Sequence, residues 1–411
     1  MKKFEMKKIA YYTFFGAITL LFSYCSKDDE EPETQQITGC KDPNAQNYNA
    51  DADITDNSLC TYILGCTDPE ATNYNKDATK NDDSCTYIVA GCMDPLSNNY
   101  DEGAEEDDGS CLYNCTDPLA DNYNEEATTD NGTCGYSGSL TKQFTVNPEE
   151  YTRKILLEAI VGTWSGWSVD VPIRVEDLND SYDDTIIPSY MYNGSGDLTN
   201  DEFYDYVYDT FDVIGFPSGM VNRRASIAAS QDYTMPRTEW ATNVDEQSAE
   251  AINTGLALST LINDNDELEV FVEVGFNTDE EDVALHVHLL EDGIIKLQYN
   301  YYSSEYGDNN GIDHPFYDQP SEIDDYIHNN VFRESLTPHE GLSIPNSAIA
   351  SNRKFQRMFK VEDLSNYDST NLKIIAFVAK NGESLDQKYV LNVQKVLVNS
   401  DPGAVAVQDY D

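Results

Sequence analysis

The placement of the nine cysteines most narrows what this chain can become. Eight of them lie between Cys40 and Cys134, and none follows. They fall into four consecutive units, "GCKDPNAQNYNADADITDNSLCTY", "GCTDPEATNYNKDATKNDDSCTY", "GCMDPLSNNYDEGAEEDDGSCLY" and "NCTDPLADNYNEEATTDNGTCGY". Each unit carries one pair: Cys40 and Cys60, Cys66 and Cys85, Cys92 and Cys111, Cys115 and Cys134. A unit this short and polar cannot bury a core of its own, so one disulfide per unit is the expected staple. Closing a loop of this size stabilises the fold by about 3 kcal/mol in the chain-entropy model. An even, clustered set of this kind also implies an oxidising, extracytoplasmic compartment.

Within each unit an Asp-Pro step (Asp42, Asp68, Asp94, Asp117) sets a turn, and an Asn-Tyr step is expected to lay an aromatic ring over the disulfide. The units end in oxygen-rich residues: Asp56, Asp82 and Asp83, Asp107 and Asp108, and Asp130. Together with the Asp-Pro carboxylates these are hard ligands of the sort that suit Ca²⁺, although the EF-hand spacing is absent. The alternative is that they are solvated turn formers. We expect residues 39–136 to act as a stalk of separate beads.

The first residues read as an address. A basic "MKKFEMKK" precedes the apolar run "IAYYTFFGAITLLFS", which is too short to span a bilayer comfortably, and Cys25 follows. The stretch resembles a bacterial lipoprotein signal peptide over residues 1–24, with Cys25 as the acylated (palmitate-bearing) first residue of the mature chain. Tyr24 departs from the small residue usual there. Residues 25–38 form an acidic tether, whose "SKDDEE" resembles the tag that exports Bacteroidota lipoproteins to the cell surface. The four cysteine units resemble a module common in surface proteins of the same bacteria, which implies a spacer without activity. These resemblances imply an outer-membrane, lipid-anchored protein facing the exterior.

Against 25 Lys and Arg stand 75 Asp and Glu, a formal charge of −50. Such a surface repels phosphate backbones, which excludes nucleic acid as a partner.

Beyond the repeats the composition becomes that of a globular protein. The apolar run from Lys154 to Ile160 reads as a buried strand leading into "GTWSGWSVDVP". That stretch has the layout of a thioredoxin-like redox elbow, with Ser165 and Ser168 where the cysteines would stand, between Trp164 and Trp167. Val171, Val175 and Leu178 follow at helical spacing. "GFPSGMVNR" supplies Pro217 at the place where such folds carry a cis-proline facing the elbow. A serine cannot replace the thiolate of disulfide exchange, and no histidine lies near the elbow in sequence. We therefore expect a degenerate thioredoxin-like domain over 145–255, with the two tryptophans as core or as a ligand platform.

The C-terminal half alternates with the period of strands in "ELEVFVEVGF", "VALHVHLLE" and "GIIKLQYNYY", and ends in a hairpin-like pair, "NLKIIAFVAK" and "KYVLNVQKVLV". An immunoglobulin-like β-sandwich over 262–400 is the expectation, making the whole chain a multidomain α+β protein. His286 and His288 share one face of their strand and are expected at exposed positions. The tyrosine-rich segment 303–335 reads as a long loop.

"KILLEAIVGTWSGWSVDVP", "GFPSGMVNRR", "LLEDGIIKLQYNY", "YIHNNVFRESLT" and the last hairpin together resemble the outer membrane protein 28-related lipoproteins of Bacteroidota, over about residues 150–400. The resemblance implies a surface adhesin or receptor with no settled activity. Members usually carry a cysteine pair in the elbow, so this chain departs from them at that point. The function expected is non-catalytic binding, or service as a subunit of an outer-membrane complex, with no required cofactor. Partners would be another outer-membrane or extracellular protein, or a glycan. A thiol-disulfide enzyme, disfavoured by Ser165 and Ser168, and a Ca²⁺-stabilised spacer are the alternatives.

Overall fold

The computed structural model describes residues 36–93, 97, 99–111, 114–125, 127, 130–141, 151–278, 280–307, 311–350 and 353–410. The signal segment, Cys25, most of the tether and Asp94 lie outside them. The chain divides into two compact units, Met1–Ile88 and Val89–Asp411.

The four disulfides pair as the spacing predicts, Cys40–Cys60, Cys66–Cys85, Cys92–Cys111 and Cys115–Cys134. The Asn-Tyr step works differently from expectation. Its tyrosines, Tyr48, Tyr74, Tyr100 and Tyr123, stay 44–49% exposed. The asparagine instead clamps the loop shut beside the second cysteine. In the first unit Asn47 donates to Leu59 O and accepts from Thr61 N. Asn73 and Asn122 repeat both bonds around Ser84 and Thr86, and around Thr133 and Gly135.

The second unit is mostly β, with three α-helices. Its first half alternates strand and helix: β1 (Ile155–Val161), α1 (Asp170–Ser181), β2 (Ile186–Tyr192), α2 (Asp201–Phe211), β3 (Ser218–Val221), β4 (Met235–Pro236) and α3 (Trp240–Ser248). Every residue of β1 and β2 is buried, Glu158 and Ser189 included, as befits strands covered on both faces. Then come β5 (Thr254–Ile262), β6 (Leu268–Phe276), β7 (Val283–Glu291), β8 (Ile294–Tyr299), β9 (Glu322–His328), β10 (Val331–Ser335), β11 (Leu342–Ser343), β12 (Lys354–Val361), β13 (Leu372–Lys380), β14 (Val390–Leu397) and β15 (Ala406–Gln408).

One nine-stranded sheet in the order β14-β13-β7-β10-β2-β1-β3-β4, with β11 alongside β7, runs through both halves. The join is β10, which lies parallel to β2 with Val331 opposite Tyr190. The expected boundary between a domain at 145–255 and another at 262–400 is therefore corrected, since strands from both sides share one hydrogen-bonded ladder. The tyrosine-rich segment is also more than a loop, for it supplies β9, which pairs with β8 as a two-stranded ribbon, and β10 itself.

Helices α1 and α3 pack on one face of β1 and β2 through Val171, Val175, Leu178, Trp240 and Val244. Helix α2 packs on the other through Phe203, Val207 and Phe211, and its layer continues under Phe377 of β13 and Val393 of β14. A four-stranded sheet, β12-β6-β5-β15, faces the β7-β13-β14 end. Leu258, Val270, Val272 and Phe276 of that sheet interdigitate there with Leu285, Val287, Ile374 and Val378.

The fourth repeat is not a free bead. Arg357 of β12 pairs with Asp117 at 3.3 Å and with Asp130 at 2.9 Å, while Met358 N donates to Asp117. Tyr136 meets Phe271 edge-on at 5.7 Å, and Ser347 Oγ donates to Asn131 O. Strand β12 is an edge of its sheet, and the repeat covers part of it.

Candidate functional site

The elbow follows directly from the end of β1. Ser165 and Ser168 are 4% and 5% exposed, so neither hydroxyl is presented to solvent. Ser165 Oγ donates to Phe216 O at 3.2 Å, and Ser168 Oγ accepts from Gly162 N at 3.4 Å. The Phe216–Pro217 peptide is cis and carries the carbonyl to which Ser165 is bonded. Both hydroxyls hold the turn, and neither bonds a histidine or a carboxylate.

The two tryptophans diverge. Trp164 is 44% exposed, donates its indole N–H to Asn193 O and lies 5.0 Å from the Phe216 ring. Trp167 is enclosed between Tyr301 and Tyr302, at 5.6 and 5.2 Å, with the Arg237 guanidinium 5.8 Å from its ring. Residues 298–302 cover the turn: Tyr299 N donates to Thr163 O, Tyr301 N to Gly166 O, and the Gln298 amide to Thr163 O and Ser165 O. Gly166 permits this approach, because a Cβ there would stand 2.4 Å from the Tyr301 ring and 2.7 Å from its backbone nitrogen. Gly166→Ala is expected to cost about 1–3 kcal/mol through overpacking, read as a lower urea midpoint together with altered Trp167 fluorescence.

Sequence reading missed the group behind the elbow. Asp170, buried in the first turn of α1, accepts from Arg174, from Arg237 Nε at 2.6 Å and from His314 Nε2 at 3.2 Å. His314 also stacks on Tyr302 at 3.5 Å. A histidine thus reaches the elbow's neighbourhood across 144 residues of sequence. Burial alone would raise the Asp170 carboxyl, but the bonds from Arg174, Arg237 and His314 hold it below its ordinary value. Burial holds His314 low despite its carboxylate partner. The arrangement is an ion cluster that ties α1 to the covering segment through Asp170 and His314.

His286 and His288 also differ from expectation, being 3% and 0% exposed. They point toward α2, where His286 stacks on Phe377 and His288 packs against Phe203 and Phe332. A half-buried strand pattern could not reveal that α2 covers this face.

The acids of the repeats are engaged in turns. Asp42 and Asp68 accept from Tyr62 and Tyr87 hydroxyls at 2.7 Å and from turn N–H groups. Asp56, Asp82, Asp107 and Asp108 each accept from an N–H two residues on, and Asp130 does the same before meeting Arg357. Asp83 sits in a left-handed backbone conformation. Among the described residues no three His, Cys, Asp or Glu side chains converge as metal ligands would. Accordingly EDTA is expected to leave the melting temperature of the repeats unchanged; a fall of several degrees on chelation would bring Ca²⁺ back.

Residues 204–402 match the family model of Outer membrane protein Omp28. Over this stretch, just under half of the chain, the protein is similar to the Omp28 family. The matched stretch begins inside α2 and takes in Pro217 and most of both sheets, while β1, the serine elbow, β2 and β15 lie outside it. Among solved structures, HBP35 of Porphyromonas gingivalis is 14% identical, with a TM-score of 0.49, over 62% of this chain and 78% of that one. A domain of the outer membrane lipoprotein Omp28 from the same organism is 16% identical, with a TM-score of 0.22, over 36% of this chain and 91% of that one. Neither superposition is close enough to carry a statement about this fold. No curated protein matches the chain.

Proposed function

We propose that this chain is a non-catalytic outer-membrane lipoprotein, anchored through Cys25 and displayed on the cell surface, whose globular head acts in binding. The Omp28 match supports association with the outer membrane. The observation that carries the non-catalytic reading is the bonding of Ser165 to Phe216 O and of Ser168 to Gly162 N, which uses both hydroxyls to hold a turn. Parallel β1 and β2, the turn before α1 and the cis-proline before β3 together form a thioredoxin-like layout, with the chemistry replaced by packing. The sandwich of the second half is immunoglobulin-like in class only, since one of its sheets is the extension of the first half's own sheet. The head binds a protein or a glycan of the cell exterior.

Two measurements test this. Purified protein should show no insulin reduction above the dithiothreitol blank, and activity above it would revive the oxidoreductase reading. Intact cells treated with a membrane-impermeant biotinylation reagent should label the wild-type chain, while Cys25→Ala should shift it to the soluble fraction. Labelling only after lysis would refute surface display.

A further inference from the structure

Three polar side chains meet at one end of the long sheet, where its strands turn. Asp292 follows β7, Asn330 precedes β10, and Lys373 is the second residue of β13. Lys373 shares its face of β13 with Ile375 and Phe377, which belong to the apolar layer of α2. It is 7% exposed. Its ammonium donates to Asp292 Oδ2 at 2.6 Å and to Asn330 Oδ1 at 2.7 Å.

The backbone holds the amide in this position. Asn330 is left-handed, with φ of 56°; its N–H donates to Asp292 Oδ1 at 2.6 Å, and its carbonyl accepts from Tyr190 N at 2.8 Å. Asp292 is fixed in turn, because its own N–H donates to Asn371 O, two residues before Lys373. One carboxylate thus bonds both residues, one oxygen to each. With a C=O bond of about 1.2 Å, the amide carbon lies no more than about 3.9 Å from Lys373 Nζ, close to the ~3–3.5 Å of a near-attack arrangement. Burial pushes the Lys373 amine below its ordinary value, and the Lys395 charge acts in the same sense, against the pull of Asp292. A lysine so placed becomes a nucleophile once it gives up its proton.

We propose that Lys373 and Asn330 join in an amide cross-link, which the folded head forms on itself with Asp292 as the proton carrier. Asp292 takes the extra proton of the ammonium, and the freed amine attacks Cγ of Asn330 to form a new C–N bond. Asp292 then gives that proton to the amide nitrogen and takes the next one from the attacking nitrogen. The Cγ–Nδ2 bond breaks, and ammonia leaves with the proton that Asp292 is left holding. No oxidant, reductant or added cofactor enters the step. The link ties β13 to the turn before β10 across β7, which lies between them in the sheet. Strand β10 is the one that meets β2, so the bond fastens the sheet at its join. No cysteine follows Cys134, and a disulfide therefore cannot serve in that place. The proposal uses none of the elbow's residues and is independent of what the head binds.

The test is tryptic digestion of the whole, denatured protein followed by mass spectrometry. The wild type should yield a branched peptide that joins Asn330 to Lys373, uncleaved at that lysine and lighter by one ammonia than its two arms together. Lys373→Met and Asn330→Ala should each abolish the branch. Asp292→Asn keeps both reacting residues and should slow the linkage about 100-fold or more, measured in protein that retains the wild-type near-ultraviolet circular dichroism. The wild-type digest decides the matter even if every variant misfolds: two separate, unbranched arms overturn the proposal. A branch that joins any other pair of residues overturns it too, as does an Asp292→Asn chain linked as fast as the wild type.

Discussion

On lowering the pH from 7 to 5 the head is expected to lose several kcal/mol of stability, because it buries three histidines in their neutral form. Burial lowers His328 from 6.5 to about 4, and it holds His286 and His288 well below 6.5, with the Arg223 charge acting in the same sense on both. A basic group whose pKa is depressed by folding takes up its proton more readily in the unfolded chain. Stability is therefore complete above about pH 6.5, and it falls as pH drops from there toward the folded-state values. The limiting slope is about 1.4 kcal/mol per pH unit for each histidine. His328 alone then accounts for roughly 2 kcal/mol by pH 5, and His286 and His288 add to it. Against a total of about 5–15 kcal/mol for a typical fold this is a large share. Glu334, whose carboxyl burial raises, opposes the trend, since its proton is taken up more readily in the folded chain. Urea midpoints at pH 7.5, 6.5, 5.5 and 5.0 should fall progressively, and His288→Leu should flatten the curve. A midpoint constant from pH 7 to 5 would refute neutral burial.

The second large effect concerns the ion pair between Glu158 of β1 and Arg223. Its members are bonded through Arg223 Nε at 2.7 Å and Nη2 at 2.8 Å, with side chains 1% and 2% exposed. Arg223 also lies over the Phe377 ring at 4.8 Å, beneath α2. Removing one partner strands a charge in the core, so Glu158→Gln and Arg223→Met should each cost about 3–5 kcal/mol. The double replacement Glu158→Leu with Arg223→Met should recover most of that loss, because the desolvation of both charges is relieved together. A double-mutant cycle in urea provides the check. Equal, additive losses would mean that the pair is not coupled as its geometry requires.

How much of this could be read in the sequence depended on how local the cause was. The four disulfides, β1, α1 and the closing hairpin of β13 and β14 were legible because spacing and periodicity alone determine them. The single sheet was not, for it turns on β10, whose short "VFRES" pairs in parallel with a strand about 140 residues earlier. No pattern within those five residues announces that partner. The Asp170 cluster was hidden for the same reason, since its histidine comes from the far side of the β8–β9 ribbon's loop. His286 and His288 alternate correctly for one face of a strand, but periodicity says nothing of what covers that face. The asparagine clamps were signalled by their recurring place 12 or 13 residues before the second cysteine, although the spacing does not say which backbone groups they bond.

The grip of Arg357 on Asp117 and Asp130 makes the chain modular on one side only. Whole repeats can be added or deleted between Gly39 and Gly91 with no change in the surface that the fourth repeat lays along β12. The fourth cannot be exchanged for a copy of another, because its two carboxylates, Tyr136 and Asn131 are matched to Arg357, Phe271 and Ser347. The fourth repeat is therefore part of the head that it covers, sharing the head's stability through Arg357, Phe271 and Ser347.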